Sequence, residues 1–213
     1  EENDRGLNTG GMGAYAPTPI LSKSELSKIC KEIIEPTIEE LIKRNINYKG
    51  VLYFGLMITK SGPKVIEYNC RFGDPECQTI MPLMDRNFVN ILYKCAIGNL
   101  AGDEEVLSSS KVSGCVIAAS KGYPENYDVG FPITFNHDEN EDIQIFHSGT
   151  SLNEEGKIIS DGGRVLSIVC QGKDFDTAFN KAYKVLEAIN FDGIYYRRDI
   201  GHQVRTNHFL KRQ

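Results

Sequence analysis

Lys64-Val65-Ile66-Glu67-Tyr68-Asn69-Cys70-Arg71-Phe72-Gly73-Asp74-Pro75-Glu76 places five charged side chains and a carboxamide within thirteen residues. Val65, Glu67 and Asn69 alternate with Ile66 and Tyr68, which is strand spacing. Residues two apart on a strand face the same way, so Glu67 and Asn69 share a face. A carboxylate beside an amide oxygen suits a hard cation such as Mg²⁺. That ion takes oxygen ligands, often one or two from protein and the rest from phosphates and water. Arg71 and Asp74 follow where Gly73 and Pro75 must end the strand. Arg71 suits bidentate binding of a phosphate or carboxylate, and Asp74 suits an amine. The plainer alternative is a wet strand edge with a surface ion pair. An exposed pair contributes only about 0–1 kcal/mol, so stability alone gives little reason for it.

Upstream, Ser61-Gly62-Pro63 turns the chain out of an apolar strand spanning residues 51 to 59, so the two strands form a hairpin. Nearly every position of that first strand is apolar, and both of its faces are expected to be covered. Further upstream, Ser22 and Glu25 have capping-box spacing. Leu26, Ile29, Cys30, Ile33, Ile34, Thr37, Ile38, Leu41 and Ile42 then follow helical spacing, which Pro36 should kink or split. Residues 1 to 20 read as loop. They contain Gly10, Gly11 and Gly13, whose backbone N–H groups could approach an anion. No strand precedes these glycines and no Lys-Ser/Thr follows them, so the loop is neither a dinucleotide fingerprint nor a Walker loop. A tight structural turn explains them equally well.

Downstream, residues 76–84 and 87–97 read as helices, with Pro82 breaking the first. Residues 98–110, rich in Gly, Asp, Glu and Ser, are the candidate boundary between two units. The second unit reads as α+β. Strands are expected at 111–120, 143–147, 164–170 and 193–197. A helix opens at Asp176 with Phe179, Ala182, Tyr183, Leu186 and Ile189 on its apolar face. Ser160-Asp161-Gly162-Gly163-Arg164 could bind a phosphate or simply turn a hairpin. Arg197-Arg198-Asp199 is either a salt-bridged surface or part of a pocket.

Formal net charge of -5 argues against nucleic acid as a main partner. Six scattered cysteines form no C-x-x-C pair, which argues against structural zinc; they read as buried thiols in a reducing compartment. His137, His147, His202 and His208 lack metal spacing. No apolar run approaches a membrane span, and neither a signal peptide nor a nucleophile-elbow motif is evident. A cytoplasmic location with no membrane partner is therefore expected. The chain opens Glu1-Glu2-Asn3-Asp4-Arg5 without Met and runs straight into the glycine loop, as expected of a piece of a longer polypeptide.

Several of these stretches together resemble the phosphoribosylamine–glycine ligase family of ATP-grasp enzymes. They are Asn8 through Pro17, Gly50 through Met57, Glu67 through Glu76, Gly162 through Leu166, and Phe191 through Gly201. Leu7 departs from the pattern, since the family usually has Pro there. The resemblance implies an α+β fold. Residues 1–104 would be the second ATP-grasp lobe, an antiparallel sheet with helices, and 105–213 a small mixed α/β C-terminal domain. It implies ATP-dependent joining of glycine to 5-phosphoribosylamine through a glycyl phosphate, giving glycinamide ribonucleotide, ADP and phosphate in purine biosynthesis.

The implied metal and cofactor ligands are Glu67 and Asn69, holding Mg²⁺ or Mn²⁺ against ATP. Arg71 and Asp74 are the catalytic candidates. Gly10, Gly11, Arg71, Asp74 and Arg164 are the substrate contacts, with Arg164 facing the ribose phosphate. The implied partners are glycine, phosphoribosylamine, ATP and a missing N-terminal part, without which the chain is expected to be inactive. Another ATP-grasp carboxylate–amine ligase and a non-catalytic binding module remain as alternatives.

Overall fold

The structure, a computed structural model, describes residues 1–84, 87–101, 109–136 and 141–206. In chain order the elements begin with β1 (Gly13–Ala16), α1 (Lys23–Ile29), α2 (Glu35–Lys43), β2 (Tyr53–Thr59), β3 (Gly62–Asn69), α3 (Glu76–Ile80) and α4 (Phe88–Ile97). Then come β4 (Val112–Ser120), β5 (Thr134–Phe135), β6 (Ile143–His147), β7 (Thr150–Leu152), β8 (Ile158–Ser160), β9 (Arg164–Gly172), α5 (Phe175–Glu187), β10 (Ile189–Asn190) and β11 (Ile194–Tyr195). The fold is α+β, with every strand pair antiparallel.

The chain forms two compact units. One comprises Glu1–Pro17, Asp74–Leu83 and Ser109–Gln213; the other comprises Thr18–Gly73 and Met84–Ser108. These units interleave along the sequence, whereas the expected division runs in chain order. Much of the candidate boundary at 98–110 lies outside the described residues.

The first unit is built on a five-stranded sheet in the order β1-β4-β9-β6, with β11 pairing to β4 beyond the end of β1. Both β4 and β9 are small and β-branched along most of their length, and both are buried almost throughout. α5 packs on them through Ala178, Phe179, Ala182, Val185 and Leu186. Phe179 is fully buried, which contributes about 2–3 kcal/mol by transfer from water. α5 starts at Phe175, capped by the Asp174 side chain, which accepts the Thr177 N–H. That is one residue earlier than Asp176, and Ile189 falls in β10 rather than on the helix.

β1 lies within the stretch that reads as loop. Its register pairs Gly13 with Val116 and Tyr15 with Gly114. A Cβ on Gly13 would lie 2.5 Å from Ile200 Cγ2 and 2.6 Å from the Cys115 carbonyl oxygen, so only glycine allows this strand to approach β4 so closely.

In the second unit the Ser22–Glu25 capping box forms in full at the start of α1. Pro36 does not break the helical run. A π-helical turn, Cys30–Ile34, joins α1 to α2, and Pro36 sits in the first turn of α2. There its missing N–H is absorbed by the wider turn. The hairpin β2–β3 turns through Lys60 and Ser61, with Thr59 opposite Gly62 and Pro63 already within β3. The expectation that both faces of β2 are covered is not met. Met57 is 54% and Ile58 46% exposed, and Ile66 and Tyr68 on β3 are exposed as well. A two-stranded ribbon has two faces, and no third strand pairs with it among the described residues.

The cysteines are only partly as expected. Cys115 and Cys170 are buried, Cys70 is exposed and the other three are intermediate, all as free thiols. Burial raises the Cys115 thiol well above its ordinary range and pushes that of Cys170 up to about 12.

Candidate functional site

β3 delivers Glu67 and Asn69 as the alternation requires. Asn69 pairs with Tyr53 and Glu67 with Gly55, and the register shifts between Gly55 and Leu56. The shift leaves Ile66 as the extra residue of a bulge, just before the two polar positions. The side chains meet, with Asn69 Nδ2 donating to Glu67 Oε1 at 2.9 Å. Their donor set fits a hard cation: a carboxylate and an amide oxygen on one face, with the second Glu67 oxygen accepting nothing among the described residues. No group of three or more His, Cys, Asp or Glu could hold a metal among the described residues. An ion here would therefore draw its remaining ligands from phosphates and water, as Mg²⁺ commonly does. Arg71 stands exposed two residues on. Its Nη1 donates to the neighbouring Phe72 carbonyl at 2.7 Å, and Nε and Nη2 have no partner among the described residues.

The other candidates converge in the first unit. Asp74 opens the turn into α3, and one of its carboxylate oxygens is tied down. Oδ1 accepts Gln78 Nε2 at 3.1 Å and lies 3.2 Å from Arg164 Nη1. Oδ2 accepts from nothing among the described residues, and the side chain is 44% exposed. This carboxylate is thus oriented yet still able to take a cationic amine. Arg164, at the first position of β9, is 21% exposed. Its Nη1 donates to the carbonyls of Asp74 at 2.8 Å, Gly10 at 2.9 Å and Gly11 at 3.3 Å.

The glycine loop is held from its other side as well. The Gly10 N–H donates to the Tyr123 hydroxyl at 3.0 Å, and the Gly11 N–H to Thr9 Oγ1 at 3.3 Å. Both amides that an anion nest would use are thereby occupied within the chain. Gly11 has φ +105, and a Cβ there would lie 2.8 Å from Pro75 Cδ, so its glycine serves the approach to the Asp74–Pro75 turn. A cavity of about 530 Å³ opens beside this loop, lined in part by Leu7, Thr9, Met12, Lys121, Tyr123 and Tyr195.

Tyr123, Gln78 and Gly55 were not singled out by sequence reasoning. Tyr123 acts on a loop 113 residues away and Gly55 through absent volume, and local pattern carries no signal of either. Gln78 lies only four residues from Asp74, a spacing the sequence does offer. Arg197-Arg198-Asp199 resolves as structure. Arg197 is bidentate to Asp199 and also pairs with Asp4, while Asp199 accepts the Asn3 N–H. Near them His202 Nδ1 lies 3.2 Å from the Asp199 carbonyl oxygen. Elsewhere His147 Nδ1 meets Thr150 Oγ1. His137 and His208 lie outside the described residues.

Solved structures place this fold in the ATP-grasp class. Biotin carboxylase from Campylobacter jejuni superposes with a TM-score of 0.61 at 15% identity, over 87% of this chain and 40% of that one, a likeness of fold alone. Phosphoribosylamine–glycine ligase from Thermotoga maritima superposes with a TM-score of 0.80 at 36% identity, over 92% of this chain and 48% of that one.

The model of the phosphoribosylglycinamide synthetase ATP-grasp (A) domain matches residues 1–77, and that of the same synthetase's C domain matches 113–203. Phosphoribosylamine–glycine ligase of Synechocystis sp. is 47% identical over 95% of this chain and 48% of its own length. The trifunctional purine biosynthetic protein adenosine-3 of Gallus gallus is 43% identical over 95% of this chain and 20% of its own. The chain belongs to the phosphoribosylglycinamide synthetase family. It spans about half the length of the bacterial ligases it matches. No helix among the described residues is long and apolar enough to cross a membrane.

Proposed function

We propose that this chain is the part of a phosphoribosylamine–glycine ligase that holds the metal and orients the substrates. The reaction is ATP-dependent joining of glycine to 5-phosphoribosylamine. A glycine carboxylate oxygen attacks the γ-phosphorus, and ADP leaves. The amine nitrogen of phosphoribosylamine then attacks the acyl carbon, phosphate leaves, and the nitrogen loses a proton. Glycinamide ribonucleotide is the product. Such chemistry needs positioning and charge neutralisation more than a protein nucleophile, and the sequence carries no nucleophile motif.

Glu67 and Asn69 would hold Mg²⁺ or Mn²⁺, which supplies charge neutralisation between the ATP phosphates. Asp74 receives a substrate amine on Oδ2, and Arg71 faces a phosphate or carboxylate. Gly10 and Gly11 keep that part of the loop free of side chains beside Asp74. In this reading residues 1–104 belong to the ATP-grasp lobe and 105–213 to the C-terminal domain. The remaining half of the cleft comes from the N-terminal part that the relatives carry, so the chain alone turns over no substrate. A cytoplasmic location goes with the same reading.

The observation that carries the proposal is the Asp74 carboxylate, with one oxygen fixed and one free, five residues beyond a ready-made pair of oxygen ligands. The test is ADP release by the full-length polypeptide, which must depend on both glycine and phosphoribosylamine. Glu67→Ala and Asn69→Ala should each reduce turnover severely. Wild-type kcat in both variants at saturating Mg²⁺ would overturn the metal assignment. Equal turnover with a different carboxylic acid would instead make the protein another carboxylate–amine ligase. No turnover with any acid would make it a binding module.

A further inference from the structure

We propose that Arg164 is a positioning residue. It fastens the glycine loop to the Asp74–Pro75 turn and so aims the Asp74 carboxylate, instead of binding the ribose phosphate directly. The inference rests on the ligase reading for its kinetic consequences and on geometry alone for its structural ones.

Arg164 is anchored at its backbone before its side chain does anything. Its carbonyl accepts the Gly149 N–H at 2.9 Å, and its Cα pairs with Ala119 at the irregular end of the β4–β9 register. From that fixed point the guanidinium reaches two segments that lie 90 and about 154 residues earlier in the chain. A single nitrogen, Nη1, carries two N–H groups. It faces four acceptors: the carbonyl oxygens of Gly10, Gly11 and Asp74, and Asp74 Oδ1. A phosphate bound at Nη1 would have to displace the Gly10, Gly11 and Asp74 carbonyls, which have no other donor among the described residues. A charge-assisted hydrogen bond is roughly twice as strong as a neutral one, so these contacts fix the carbonyls firmly.

The residue before Arg164 works on the same loop. A Cβ on Gly163 would lie 2.2 Å from Tyr123 Cδ2, so glycine there makes room for the Tyr123 ring. The hydroxyl of that ring accepts the Gly10 N–H. Gly10 therefore has its carbonyl held by Arg164 and its N–H held by Tyr123. Gly10 is itself constrained, because a Cβ would lie 3.2 Å from Arg164 Cζ and 3.3 Å from the Tyr123 hydroxyl. The Gly162-Gly163-Arg164 stretch is in this way a clamp on the loop, and the Asp74 turn is caught in the same grip.

The test uses the full-length polypeptide with Arg164→Gln, Arg164→Lys and Tyr123→Phe. Lysine keeps the charge, but its ammonium rides on a flexible stem without the rigid planar group that holds Nη1 in place. Arg164→Gln should speed amide exchange in residues 8–13 at least tenfold. It should lower kcat about tenfold while KM for phosphoribosylamine changes less than threefold. Arg164→Lys should restore little of either loss. Tyr123→Phe should act in the same direction but more weakly, and it decides the matter if the arginine variants do not fold. A tenfold rise in KM for phosphoribosylamine at unchanged kcat would overturn the proposal and make Arg164 a phosphate ligand. Unchanged exchange in residues 8–13 would also overturn it. If the wild-type polypeptide releases no glycine-dependent ADP, the ligase reading falls, and the exchange measurement still decides the role of Arg164.

Discussion

Gly55 faces Glu67 across the β2–β3 hairpin, and a Cβ on Gly55 would lie 2.8 Å from Glu67 Cγ. The missing side chain is what lets Glu67 lie down toward Asn69. Gly55→Ala should force Glu67 into another rotamer, at a cost of about 1 kcal/mol. Since every 1.4 kcal/mol is about tenfold in affinity, the Mn²⁺ concentration for half-maximal ADP release should rise roughly three- to tenfold. A metal titration of full-length wild type and variant checks this, and superimposable curves would reject it.

Asp74→Asn keeps the size of the side chain and can still accept from Gln78, but it removes the charge offered by Oδ2. Losing a charged hydrogen bond costs about 1.5–3 kcal/mol. KM for the amine-bearing substrate that Asp74 holds should rise at least tenfold, with KM for ATP nearly unchanged. Steady-state kinetics with glycine and phosphoribosylamine varied separately identifies that substrate. Equal effects on all three substrates would mean that Asp74 only supports the turn.

Asp199 makes acid stability a readout of the N-terminal anchor. Burial by itself would raise its pKa. Hydrogen bonds from Arg197 and the Asn3 N–H, with the charge of Arg197, outweigh burial and lower it to about 2. A carboxyl group whose folded pKa is depressed stabilises the fold above its unfolded pKa. That contribution is lost as pH falls through the folded value. The difference corresponds to about 2 kcal/mol at neutral pH. Denaturant melts should therefore show wild type losing this increment between about pH 4 and pH 2. Asp199→Asn should already lack most of it at pH 7 and have a flatter acid limb. Parallel acid limbs for the two proteins would reject the assignment.

What the sequence showed of this fold follows from how local each cause is. The capping box at Ser22 and Glu25 and the existence of the β2–β3 hairpin depend on neighbours within a few residues and are readable, although the turn falls at Lys60 and Ser61. β6 is readable at its full extent from its own apolar and β-rich residues, although its partner β9 is remote. The Glu67–Asn69 pair was equally plain, because strand alternation alone brings the two together. β1 was invisible, since Gly13-Ala14-Tyr15-Ala16 lacks β-branched residues and is a strand only by virtue of pairing with β4. The short strands β5, β7, β8 and β10 were missed for another reason: each is only two or three residues long, too short a run to show a period. In the glycine loop the cause of the glycines is not legible. Their amides turn inward to Thr9 and Tyr123, and nothing near Gly10 in sequence announces a tyrosine 113 residues away.

The packing between Gly201 and Phe179 offers the sharpest test of the core. Gly201 has φ +75, and a Cβ there would lie 2.2 Å from Phe179 Cε2, in a ring that is fully buried. Gly156 has φ +74 with nothing within 4 Å of the position its Cβ would take. Alanine at either site carries the left-handed backbone cost, about 1 kcal/mol. Only at Gly201 must the core also yield, and overpacking adds about 1–3 kcal/mol. Gly201→Ala should therefore destabilise by about 2–4 kcal/mol and Gly156→Ala by about 1 kcal/mol, in urea melts of the full-length polypeptide. Because the backbone term is matched, the difference between the two isolates the steric conflict with Phe179. Equal losses would show that the ring moves aside without cost. The truncation Phe179→Leu in the Gly201→Ala background should then recover part of the loss, since a smaller side chain relieves the clash that the added methyl creates.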